Sequence, residues 1–248
     1  MSCCCAETHM PTLSQNLERL AGTFTVRDIM VNADGLVCAE SKSKAFLVSQ
    51  ANLDFNLIPI RIKGRFTAYF LRDSKQVGKL SVNDLVSDGT GILDLVDILA
   101  HREFAFVLGP RQIDGYVHYS DLNHHLVKLS FYVLLEAIER FALDSVRAKF
   151  DDDFLQQVLG QSRFQQVKRF YKQSGDAGQS VINYLNIADV LKLAKAAKSF
   201  DIENDTVRAI KCVRDGAAHV SENLVSNYDD VRKLADVKRE SMRILGAS

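Results

Sequence analysis

The chain has 248 residues, 47% of them hydrophobic and 25% charged, with 31 Lys+Arg against 31 Asp+Glu. That balance belongs to a soluble globular protein of one large or two small domains and excludes disordered, collagen-like and low-complexity chains. Zero net charge also excludes whole-chain basicity as a basis for nucleic-acid binding, which must come from a local site.

No basic segment followed by an apolar run opens the chain, and no stretch of roughly 18 apolar residues occurs, so no membrane contact and a cytoplasmic location are expected. Three of the five cysteines are consecutive, at Cys3, Cys4 and Cys5, which is not a spaced disulfide framework and fits a reducing compartment. This run and His9 have no Cys-x-x-Cys spacing. Residues 1–14 read as a loose tail, and no metal is expected.

All three prolines, Pro11, Pro59 and Pro110, lie before residue 111, which favours long helices afterwards and places a boundary near residue 123. Residues 1–122 carry 12 Lys+Arg and 14 Asp+Glu, the remainder 19 and 17, so neither half is strongly polarised. In the first half, Leu36–Ala39, Leu57–Ile60 and Thr67–Leu71 read as short strands, and Ile92–Leu99 has helical spacing. The run Val77–Leu85 then matches Asp114–Leu122 with Gly, Asp and Leu in register, 37 residues apart, the mark of a repeated supersecondary unit. In each copy the glycine is expected to end a turn before a short strand. Asp84 and Asp121 follow where a helix can begin, as caps for backbone N–H groups or as acceptors for ribose hydroxyls.

This Gly-x-x-[Ser/Thr]-x-x-Asp-Leu ending, with the opening Val26-Arg27-Asp28-Ile29-Met30, resembles a tandem pair of CBS domains over residues 15–122. The resemblance implies a compact α/β module that binds an adenosine nucleotide as a regulatory ligand, through Ser81, Asp84 and Asp121. Ser81 and Asp84 match in the first copy; in the second, His118 replaces the hydroxyl residue, so the nucleotide is expected to contact Asp84 more than Asp121.

Residues 123–248 read as an all-α bundle, which makes the whole chain α+β. Val127, Phe131, Leu134, Leu135, Ile138 and Phe141 give a long helix over 123–149, with Glu136 and Arg140 as an i,i+4 pair. Asp151–Asp153 cap a second helix that carries Leu155 through Tyr171 and ends at Gly175–Gly178. A third runs from Ile187 to Ala197, a fourth from Val207 to Leu224, and a fifth from Asp229 to Leu245.

On the fourth helix, a projection of about 100° per residue puts Asp215 and His219 on one outward face, with Asp215 able to orient the imidazole and favour its charged form. Arg214 lies about 140° from His219 on the same projection, so their cooperation stays open, beside the plainer reading of a solvated surface Arg and His. Cys212 and His219 are too far apart for a nucleophile pair, at roughly 10 Å along the axis, and neither a P-loop nor a Rossmann glycine motif occurs.

The segment Ala209–His219, with a polar residue directly after Arg214, resembles the Arg-x4–6-His signature of HEPN domains, the likeness covering about residues 124–246. It implies a metal-independent endoribonuclease acting as a homodimer on single-stranded RNA, not on DNA, with a partner protein that inhibits it, as in a toxin–antitoxin pair. In that chemistry His219 transfers the proton, Arg214 stabilises the phosphate and Asp215 aligns the imidazole, with no required cofactor. Attack by the 2′-OH restricts cleavage to RNA. The alternative is a non-catalytic regulatory protein that binds a nucleotide or a partner.

Overall fold

The computed structural model describes residue 19 and residues 22–52, 56–174 and 180–246. The cysteine run, His9 and Gly175–Gly178 lie outside the described residues. The described residues form two compact units, one within Phe24–Val127 with Val225–Arg232, the other within Lys128–Leu224 with residues 233–246.

Among its described residues the first unit holds seven strands and two α-helices. Strands β1 (Val31–Asn32), β5 (Leu85–Ser87), β6 (Phe104–Leu108) and β7 (Ile113–His118) form one sheet in the order β1-β7-β6-β5. Only β5 and β6 run parallel, and helix α2 (Ile92–Leu99) makes the crossover between them. It buries Ile92, Leu95, Val96 and Leu99 completely, as its spacing predicts. Strands β2 (Leu57–Ile62), β3 (Arg65–Leu71) and β4 (Gln76–Lys79) form the second, antiparallel sheet. Lys63 and Gly64, at φ 49° and 79°, supply the two left-handed residues of the tight β2–β3 turn. Helix α1 (Lys42–Ala51) contributes Ala45 to a small core with Ile58, Ile60, Ala68 and Phe70.

Leu36–Ala39, expected as a strand, is not one. Only Ala39 pairs, in a single parallel bridge to Ile60, with its N–H on the Pro59 carbonyl at 2.9 Å. Extending that ladder towards Val37 needs a donor at Pro59, which has no N–H. The repeat glycines are also not turn residues. Gly78 lies within β4 opposite Tyr69, and Gly115 within β7 opposite Asn32. A Cβ on Gly115 would sit 2.7 Å from the Val31 carbonyl, and one on Gly78 would enter the Tyr69 ring. Close packing, not a special φ, requires them.

The second unit is helical: it holds α3 (His125–Val146) from Lys128 on, α4 (Asp152–Leu159), α5 (Gln161–Ser174), α6 (Ile187–Ala196), α7 (Asn204–Ala218) and α8 (Tyr228–Leu245) from Lys233 on. Its core gathers Leu135, Ile138, Leu155, Phe164, Val190, Leu191, Ile210 and Val237. The single helix expected from Leu155 to Tyr171 is two, broken at Gly160 with φ 79°. The periodicity runs through the break because Leu155 and Val167 face the same core. The fourth expected helix is shorter than its apolar pattern: α7 stops at Ala218, and His219 is extended at φ −104° and ψ 119°. No described helix is long and apolar enough to cross a membrane.

Candidate functional site

In the first unit, a carboxylate closes the same local motif three times. Ser81 donates both its N–H and its hydroxyl to Asp84 Oδ2, each at 2.8 Å, at the start of the 3-10 turn Val82–Asp84. Thr25 does the same to Asp28 Oδ2, at 2.7 and 3.1 Å. At the third position the His118 N–H donates to Asp121 Oδ2 at 2.8 Å, while the His118 ring shares a 2.9 Å hydrogen bond with the Ser120 hydroxyl. Each aspartate thus satisfies an N–H that the turn leaves open. Thr25–Asp28, ahead of both repeat copies, carries the same hydroxyl-x-x-Asp spacing, so the sequence pattern holds three members rather than two.

The turn at His118–Asp121 borders a cavity. A cavity of about 580 Å³ is lined by Asp121, His118 and Tyr119, by Phe104, Tyr116 and Glu103, and by Arg72, Asp73, Leu57 and Pro59. The strand alternation explains its aromatic wall, since Phe104 on β6 and Tyr116 and His118 on β7 share one face. Tyr116 stacks on Phe104 at 6.0 Å and on His118 at 6.5 Å, and the His118 and Tyr119 rings lie 4.2 Å apart. Burial pushes the Asp121 carboxyl above its ordinary pKa, opposed by the His118 N–H. Burial also holds the His118 imidazole low and, with Asp121 and Glu103 adding, the Tyr116 phenol high. Ser81 and Asp84 do not line this cavity; the Ser81 hydroxyl donates to the half-buried Asp84 carboxylate.

In the helical unit Arg214 pairs with Asp215 at 3.8 Å, while His219 lies beyond the end of α7. The Arg214 guanidinium lies 5.9 Å over the Tyr132 ring and borders an open pocket of about 400 Å³ with Glu136, Glu139 and Arg140. Glu139 is partly buried there, its carboxyl raised first by burial and then by Glu136, with Arg214 and Arg140 opposing. Asp215 pairs with Lys211 at 2.5 Å. His219 is exposed, beyond the end of α7, with its own N–H on the Asp215 carbonyl at 3.2 Å. The projection fails because His219 is no longer helical.

The turn that carries His219 is nonetheless held. The Lys128 ammonium, on α3, donates to the carbonyls of His219 at 3.2 Å, Val220 at 2.9 Å and Glu222. It therefore acts as the cap of α7 from a distant segment. His124 and His125, at the start of α3, stack on each other at 4.1 Å. Among the described residues, no group of three His, Cys, Asp or Glu is placed to hold a metal ion.

No family model matches the chain, and no curated protein matches it. Solved structures do. The CBS domain of a bacterial CNNM/CorC family Mg2+ transporter, in complex with ATP, is similar at 12% identity and TM-score 0.36, over 47% of this chain and 94% of that one. A hemolysin-like protein containing a CBS domain, from Oenococcus oeni PSU, is similar at 14% identity and TM-score 0.36, over 45% of this chain and 96% of that one. No comparison points to a HEPN domain.

Among the aromatic and polar residues around the cavity, Phe104, Tyr116, Glu103 and Arg72 carry no motif. The signal available was the alternation of aromatics along β6 and β7, which places them on one face.

Proposed function

We propose that the first unit is a receptor for an adenosine mononucleotide, in keeping with the CBS-like repeat, and that the chain is a nucleotide-responsive regulatory protein. The observation that carries this reading is the Asp121 carboxylate set into an aromatic-walled cavity. A base stacked on such rings gains about 1–3 kcal/mol, and a ribose hydroxyl donating to a carboxylate gains about 1.5–3 kcal/mol. Asp121 commits Oδ2 to the His118 N–H, which leaves Oδ1 for the ribose.

The charge of the wall sets the phosphate count. Asp73, Glu103 and Asp121 face one guanidinium, Arg72, which is itself 3.9 Å from Asp73. Such a site favours one phosphate over three, because each added phosphate meets carboxylates. Titration calorimetry of the purified chain with AMP, ADP and ATP tests this. Binding in the order AMP, ADP, ATP is expected; no binding of any at millimolar concentration overturns it.

A second reading concerns the helical unit and rests on the Lys128 clamp, which fixes the turn presenting His219 instead of leaving it loose. In this reading the unit cleaves RNA as a homodimer, His219 of one protomer meeting Arg214 of its partner, since within one chain Arg214 turns to the Glu136–Glu139 pocket. The chemistry needs a proton-transfer group and a cation at the phosphate, and no metal step. Light scattering at micromolar concentration tests the dimer, and a monomeric mass overturns this second reading.

A further inference from the structure

Helices α6 and α7 present two side-chain stripes to one open groove of about 720 Å³. Ala188, Lys192 and Lys195 come from α6; Val207, Arg208 and Lys211 come from α7. Both sets follow the three- and four-residue spacing of a single helix face. Ala188 and the buried Val207 make the floor apolar, and the four cations stand on the walls. Among the described residues no carboxylate lines the groove.

The positive charge is only partly answered. Arg208 and Lys211 hold exposed pairs with Asp205 at 2.9 Å and Asp215 at 2.5 Å, both outside the lining. Exposed pairs of this kind are weak and exchange readily. Among the described residues, Lys192 and Lys195 have no acidic partner. Lysines near the last turn of α6 also offset that helix's dipole. That account leaves out Arg208 and Lys211, which lie within α7.

We propose that this groove docks an acidic, amphipathic polypeptide segment of a partner protein, its carboxylates meeting the four cations and its apolar side chains meeting the floor. Charge complementarity selects the partner, and the apolar floor distinguishes it from a nucleic acid. Single-stranded nucleic acid is held by aromatic platforms as well as cations, and no aromatic side chain lines this groove.

Fluorescence anisotropy on the full chain tests the assignment. The probe is a short labelled peptide of Leu and Glu at helical spacing, with a Leu/Lys peptide, an all-Glu peptide and an oligouridylate of equal length as comparators. The Leu/Glu peptide is expected to bind tightest, and more weakly as salt rises. The Lys192→Glu/Lys195→Glu protein should lose about tenfold or more in affinity. Should that variant fail to fold, Lys192→Gln/Lys195→Gln should show a smaller loss in the same direction. Ala196→Trp, which fills the groove from an exposed position on its wall, should lose binding without changing the charge. Absence of Leu/Glu binding, equal binding by the variants, or tighter binding of the oligouridylate to the same lysines overturns the proposal.

Discussion

Replacing Lys128 by Met should loosen the end of α7 more than any exposed lysine change. The Lys128 residue is 7% exposed, and its ammonium serves three carbonyls in a four-residue turn. A hydrogen bond to a charged group contributes about 1.5–3 kcal/mol, but three do not add to the full sum here. His219, Val220 and Glu222 are exposed, so water replaces the lysine at their carbonyls, and methionine escapes the cost of burying a charge. The expected net loss is therefore about 2 kcal/mol, comparable to losing one strong helix cap. For a protein of this size that corresponds to a fall in Tm of about 4–8 °C. Lys128→Arg should restore little, because a planar guanidinium cannot converge on three carbonyls as a compact ammonium does. Urea denaturation gives the free energy, and hydrogen exchange at residues 216–222 locates it. A loss under about 0.5 kcal/mol, the range of ordinary surface substitutions, with unchanged exchange there, would refute the reasoning.

Gly115→Ala should destabilise by about 1–3 kcal/mol, since its Cβ meets the Val31 carbonyl and the Met30 sulfur at 2.7 Å; a neutral change in chemical denaturation would contradict the packing role. In the second reading, single-stranded RNA is cleaved in EDTA to leave a 2′,3′-cyclic phosphate, and His219→Ala lowers the rate by about 10²–10⁴ with the fold intact; undiminished cleavage by that variant removes the reading. Because Asp121 titrates above the ordinary 3.8 and binds the ribose as the carboxylate, nucleoside affinity should be full above its raised pKa and fall as the pH is lowered through it. Adenosine, which lacks the titrating phosphate, is the ligand for that calorimetric series, and a flat profile down to the ordinary aspartate range contradicts the assignment.

The sequence made the regular elements readable where periodicity and local stop signals agree. Ile92–Leu99 and Ile187–Ala196 are apolar at helical spacing and form helices over those spans. Gly160 gives no sign of a break in the sequence because the residues on both sides keep one apolar phase. The end of α7 was beyond local reading: no proline or glycine stands at 219–222, and the group that caps it, Lys128, lies 91 residues away from His219. The same distance effect moved the functional emphasis. Ser81 and Asp84 hold the better motif, yet the cavity gathers around Asp121, where Phe104 and Tyr116 arrive from strands β6 and β7. Local pattern identified the caps; the tertiary fold determined which cap faces a cavity.

The most direct measurement compares AMP binding by Asp121→Asn and Asp84→Asn proteins in one calorimetric series. Asparagine keeps an acceptor for the His118 N–H, so the turn survives, but it removes the charge that strengthens the ribose hydrogen bond. Asp121→Asn is expected to weaken AMP by about 10- to 100-fold, equivalent to about 1.5–3 kcal/mol, while Asp84→Asn leaves affinity unchanged. Equal affinity for wild type and Asp121→Asn, or a loss confined to Asp84→Asn, would contradict a nucleotide site at Asp121.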